Sequence, residues 1–210
     1  EGAKNNLEAT CPDWDFEKTL SQAENLWRDR LSAIQVRGKE NRDKRIFYTS
    51  LYRTCFLPIM QSDADGTYKG FDEQLHKAKG GIHYNGFAFW DSFRSKYPLY
   101  SLYCPDVYSG IVNSIYDTYE QAENWAPFPD SDHKPHKSPL FRARGKNDFA
   151  MYGTVRHEHM LMVMVDAYYK NLFSSHLSIE DVYPHIKNEA LLQMPEKYDA
   201  VGYIPDRPDQ

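Results

Sequence analysis

Trp90-Asp91-Ser92-Phe93-Arg94 sets an indole, a carboxylate and a guanidinium within five residues, at the junction of an aromatic, glycine-rich stretch and a helical one. Such a trio can hold a sugar, because C–H faces pack on the ring while hydroxyls bond to the charged groups. The bland reading is a helix start capped by Asp91 or Ser92, and the two readings are compatible. His157-Glu158-His159 invites a metal. It is not HExxH, because Leu161 stands where the second histidine would be. Histidines two apart do not share a helix face, so a helix-entry cluster with one histidine turned to a cleft is the better expectation. His133 and His136 lie in a polar stretch and read as solvated. Gln61–Asp72 superficially resembles an EF-hand loop, with Asp63, Asp65 and Gly66 at its third, fifth and sixth positions. Gln61 at the first position and Asp72 at the twelfth depart from that pattern. A turn held by Asp side chains is the better account. Glycoside hydrolysis needs two carboxylates across a cleft, and among 30 acidic residues no spacing picks out a pair. There is no GxGxxG, P-loop or GxSxG.

The elements that must position these groups are mostly helical. Phe16, Leu20, Ala23, Trp27, Leu31 and Ile34 recur at three- and four-residue steps, which predicts a helix over Asp13–Ile34 with one apolar face and Asp13 as N-cap. A second helix is expected over Asp43–Phe56, ended by Pro58. From Gln61 to Phe89, glycines alternate with Tyr68, Phe71, His83, Tyr84 and Phe87, which predicts a β-hairpin or extended segment near 61–90. Helices follow over Asp91–Tyr103, Asp106–Glu123, Glu158–Phe173 and Ser178–Met194. In the last, Ser178 and Asp181 form a capping box, and Pro184 is a place where the helix could break. Residues 126–147 read as a long loop and 203–210 as a tail, within one incomplete helical domain.

Composition narrows the partners. The net charge of −5 leaves no electrostatic footprint for nucleic acid. No apolar run is long enough to span a membrane. Cys11, Cys55 and Cys104 have no metal-ligand spacing and read as free buried thiols. The 16 Tyr fill a core or line a sugar cleft, and the core reading carries more weight. The chain opens at Glu1 with neither Met nor a signal peptide, which reads as a processed or excised product.

Several stretches, in order, resemble glycoside hydrolase family 92. Ile46–Arg53 is similar to its FYTALYR helix, and Ser62–Asp72 to its SDvdGrYrGfD turn. Phe89–Arg94 with Tyr97-Pro98-Leu99 is similar to its lWDTFRalhPL, and Asp166–Lys170 to its DAYlKG. His159 stands seven residues before Asp166, where the family's GDH histidine would stand. The resemblance implies an inverting, exo-acting α-mannosidase that trims mannose from N-glycans, secreted or periplasmic, with a bound calcium ion. It implies a partial (α/α)6 barrel, in the family preceded by a β-sandwich. By the same resemblance, Trp90, Asp91 and Arg94 would form the terminal-mannose pocket, with His159 near it.

Three departures qualify this. The family's EGN, NEPSHH and GNDDCGQMSAW stretches, which carry the general acid, most of the calcium environment and the general base, are not in the sequence. His157-Glu158 replaces the family's GD, and Asn171 replaces its Gly. Without acid and base, the expectation is a chain inactive by itself, with calcium ligands mostly elsewhere. Half a helical barrel would leave one apolar edge for the remainder of the enzyme or another protein chain. The alternative is a degenerate, non-catalytic module that binds glycans or serves as a structural subunit.

Overall fold

The computed structural model describes residues 2–123 and 159–192. The expected loop 126–147, the tail 203–210, and His133, His136, His157 and Glu158 lie outside those residues. In chain order come α1 (Gly2–Thr10), α2 (Phe16–Ser32) and α3 (Asn41–Thr54), then β1 (Ile59–Met60), β2 (Thr67–Lys69), β3 (Leu75–Lys77) and β4 (Tyr84–Asn85). Then follow α4 (Phe89–Ser92), α5 (Lys96–Tyr103), α6 (Pro105–Glu123), α7 (His159–Tyr169) and α8 (Ile179–Leu192). The fold is mainly α with an extended insertion, as the sequence implies. The insertion is two nested antiparallel ladders. β1 pairs with β4, Ile59 opposite Asn85, and the β2–β3 hairpin sits inside, Tyr68 opposite His76.

The centre of the core is α6. Tyr108, Ile111, Val112, Ile115 and Tyr119 repeat at helical spacing and are almost fully buried, against Tyr97 and Tyr100 of α5, Met160, Val163, Met164 and Ala167 of α7, and Val182 of α8. The opposite side of α6 is buried too, but polar. Ser114 accepts the Tyr84 N–H at 2.9 Å, and Gln121 accepts the Phe71 N–H and donates to the Tyr68 hydroxyl, both at 2.8 Å. The insertion thus docks by hydrogen bonds, and the helices by apolar packing. Core tyrosines end on acceptors: Tyr100 on Thr54 O, Tyr97 on Phe87 O. Much of the aromatic excess is therefore core with satisfied polar tips.

Gly70 shows how close the docking is. A Cβ there would stand 2.5 Å from His76 Cδ2 and 2.7 Å from Gln121 Oε1. Gly70→Ala is expected to cost about 1–3 kcal/mol by pushing the hairpin off α6, measurable as a lower urea midpoint.

The expected helix over Asp91–Tyr103 is broken at 93–95. Pro98 explains this. Inside a continuous helix its ring would strike the Arg94 carbonyl, whereas a new helix from Lys96 places it in the first turn, where no N–H is needed. By contrast α8 runs through Pro184 without a break. Its capping box forms, with Asp181 N–H on Ser178 Oγ at 3.2 Å and Ser178 N–H on Asp181 Oδ2 at 3.1 Å. The cap of α2 is Asp15, which accepts the Lys18 N–H at 3.0 Å, whereas Asp13 pairs with the Lys18 ammonium. No residue of α2 is buried, and Phe16 and Leu20 of its apolar face are exposed. Trp27 meets Tyr52 of α3 edge-on at 4.6 Å. The apolar side of α2 and α3 therefore stands uncovered.

Asn171 keeps the role of the glycine it replaces. Its φ is +56°, and it ends α7 with Leu172 N–H on Ala167 O at 2.9 Å and Asn171 N–H on Tyr168 O at 3.0 Å. That is a Schellman closure, for which Asn is the usual substitute.

Candidate functional site

The segment carrying Trp90 is set from both sides. Upstream, Ala88 adopts φ +46°, ψ +51°, a left-handed conformation that a β-carbon disfavours. It turns the chain sharply from the insertion into α4. Phe89 and Ser92 face the core, with Phe89 stacked on Phe87 at 5.2 Å. Trp90, 59% exposed, and Asp91 are left facing outward on the same turn.

Downstream, the Phe93 ring gathers two of the expected site residues. The His159 ring lies 4.1 Å from it, tilted by 35°, and the Arg94 guanidinium 5.1 Å from its centroid. His159 opens α7, so a helix far along the chain is packed against the turn after α4. The structure thus brings Arg94 and His159 onto one aromatic ring, while Trp90 and Asp91 occupy the turn before it. Phe93 was missed as the organiser, although it lies inside the singled-out run. Only the fold puts His159 beside it. Together these side chains offer an indole face, one acceptor carboxylate and two groups of donor character, which suits a polyhydroxylated ring.

The Gln61–Asp72 stretch is the Asp-stabilised turn. Asp65 Oδ1 accepts the Thr67 N–H at 2.9 Å, and Gly66 takes φ +81°. Asp63 is engaged by Asn6 of α1 at 2.7 Å, Asp65 by Lys77, and Asp72 by His76 at 2.9 Å. These carboxylates do not converge. Among the described residues no group of three His, Cys, Asp or Glu is placed to hold a metal ion. The described residues therefore do not fit the calcium that the resemblance implies, and no chemical step is derived through it.

A second polar cluster was not foreseen. Tyr68, Asp72, His76, Lys79, Asp117 and Glu120 line a cavity of ≈ 210 Å³ between the hairpin and α6. His83 stacks flat on Tyr68 at 3.7 Å beneath it. Burial pushes the His83 imidazole down to about 3, and burial holds the Asp117 carboxyl above its ordinary range. No sequence signal joins these residues, since the hairpin and α6 meet only in the fold.

Comparison with known proteins gives a consistent picture. The glycosyl hydrolase family 92 catalytic domain profile matches residues 2–210. No curated protein is significantly similar to the chain. Among solved structures, the chain is similar to the family GH92 α-mannosidase BT3965 from Bacteroides thetaiotaomicron, with 23% identity and a TM-score of 0.73, covering 97% of this chain and 25% of that one. It is similar to the family GH92 inverting mannosidase BT2199 from Bacteroides thetaiotaomicron VPI-5482, with 22% identity and a TM-score of 0.75, covering 100% and 27%. The GH92 family glycosyl hydrolase ccman5 matches at 23% identity and a TM-score of 0.73, covering 99% and 26%. These likenesses show the fold, and the chain spans about a quarter of the length of those proteins.

Proposed function

The chain belongs to glycosyl hydrolase family 92, and from that premise we propose that it supplies part of the terminal-mannose pocket of an inverting, calcium-dependent exo-α-mannosidase. The observation that carries this reading is Trp90, an indole more exposed than buried, held outward by a strained turn beside Asp91 and just before Arg94. A mannose ring would rest a C–H face on Trp90, donate hydroxyls to Asp91 and accept from Arg94, with His159 steadied beside them by Phe93. One of the solved relatives, BT3965, is described in complex with mannoimidazole, which supports an α-mannoside as the class of ligand.

Inversion needs one carboxylic acid to protonate the leaving oxygen and one carboxylate to activate water on the opposite face. Asp91 is assigned neither role here. Both groups, and most ligands of the calcium ion, would come from residues outside this chain. The uncovered apolar side of α2 and α3 favours the matching expectation that the remainder of the enzyme, or another protein chain, packs there. The same reading carries a secreted or periplasmic location.

The test is mannose release from α-linked manno-oligosaccharides by the purified chain, with calcium and with chelator, alongside binding of methyl α-mannoside. The expected result is binding without turnover, with binding weakened about tenfold or more by Trp90→Ala. Calcium-dependent turnover by the chain alone would sink the assignment of acid and base to other residues. Binding indifferent to Trp90→Ala would sink the pocket.

A further inference from the structure

We propose that the open side of α2 and α3 is a docking site for an acidic amphipathic helix. This rests on the reading that the remainder of the enzyme, or another protein chain, packs there, and it gives that partner its chemistry.

The surface is built from aromatic rings and arginines. Trp27 of α2 meets Tyr52 of α3 at 4.6 Å, and Tyr52 meets Phe56 at 5.0 Å. All three rings are exposed, Phe56 by 55%. The row crosses from one helix to the other, so it marks the seam of a helix pair, the kind of groove into which a third helix packs. The rings stand edge-on, at 61° and 83° to their neighbours, and so form no flat platform for a sugar chain. Along α3, Arg42, Arg45, Tyr52 and Arg53 share one side, with Ile46 beside them, and all are exposed. Trp, Tyr and Arg are the residue types that carry most binding energy at protein interfaces.

Charge names the partner. α3 holds Arg42, Lys44, Arg45 and Arg53 against Asp43 alone, while α2 carries as many acids as bases. The whole chain has a net charge of −5, so α3 is a local reversal. Among the described residues no carboxylate pairs with Arg42, Arg45 or Arg53. Cations without partners beside an apolar seam favour a helix with carboxylates on its flanks. A second copy offering the same side would set arginine against arginine, which disfavours a symmetric dimer. A helix that lies on a bilayer keeps its charges off its apolar face, whereas Arg45 stands two turns before Tyr52 on the same line of α3.

The experiment measures, by fluorescence anisotropy, binding of the purified chain to a labelled helical peptide with a leucine seam and glutamate flanks. Twins with glutamine or lysine flanks are the controls. The glutamate peptide is expected to bind about tenfold or more tighter than the lysine twin, by a margin that shrinks as salt rises to about 0.5 M. Arg45→Glu and Arg53→Glu, both at exposed positions, should each weaken the glutamate peptide several-fold. Tyr52→Ala should weaken all three peptides. Equal binding by the three peptides, or binding indifferent to the arginine reversals in folded chains, overturns the acidic partner and leaves α2 and α3 as a docking face. No binding by any peptide overturns both. Phosphatidylglycerol vesicles complete the set. Vesicle binding that the reversals abolish, with no peptide bound, would assign the face to a membrane and overturn the proposal.

Discussion

Tyr108→Ala is expected to unfold most of the molecule. The side chain is 0% exposed in the middle of α6. Its ring packs near Tyr97 at 6.1 Å, and its hydroxyl reaches Val163 O and Asp166 Oδ2 of α7, each at 3.1 Å. Removing so large a buried ring typically costs about 3–5 kcal/mol, against a usual total of about 5–15 kcal/mol for a domain. This chain has less in reserve than most, because α2 buries nothing and α3 only Leu51. Tyr108→Phe keeps the ring and should cost only about 1 kcal/mol. Asp166 would not be stranded, because Lys170 remains 2.8 Å away. Urea titration followed by far-ultraviolet circular dichroism separates the two. A wild-type midpoint for Tyr108→Ala would mean that the α6–α7 contact does not hold the core.

Acid should destabilise the fold through His83. Burial, chiefly, holds its imidazole at about 3 in the folded chain. In the unfolded chain it titrates near the usual value of about 6.5. Between those values the unfolded state binds a proton that the folded state refuses. Stability is therefore complete above about 6.5 and is lost as pH falls toward about 3. By about pH 4 the loss from this group reaches about 3 kcal/mol. Asp117 works the other way. Its folded value is raised by burial, so it holds its proton better folded than unfolded and offsets part of that loss. Other carboxylates add their own slopes, so the measured quantity is a difference. Urea midpoints from about pH 7 to about pH 4 should fall more steeply for wild type than for His83→Gln. Parallel slopes would show that the imidazole is not held neutral.

What could be read in advance divides along physical lines. Periodicity reports which face of a helix is apolar, and α2, α3, α6, α7 and α8 were legible for that reason. It does not report whether anything covers that face, and the apolar face that carries Phe16 and Leu20 stands open. The break before Lys96 was written in Pro98 but needed the clash with a carbonyl four residues back to be noticed. The Asp63–Asp65 turn was legible because its hydrogen bonds are local. The site divides in the same way. Trp90, Asp91 and Arg94 are neighbours in sequence and could be named together. His159 could be told apart from His157 only through the family resemblance, and its contact with Phe93 is tertiary. The approach of Asp117 to His83 had no signal, because a polar stripe on a buried helix looks like an ordinary solvated face until the partner element is known.

Among the described residues, a division between a tyrosine core and outward tryptophans decides what light can see. Trp14, Trp27 and Trp90 are 75%, 38% and 59% exposed, while the rings sealed in the interior around α6 are tyrosines and phenylalanines. Indole emission from those three will therefore follow the outer helices and anything that settles on Trp90, and will be nearly blind to loosening of the centre. Tyrosine absorbance, by contrast, registers the packed interior. Using both signals on one sample would distinguish a sugar arriving at the rim from a core coming apart.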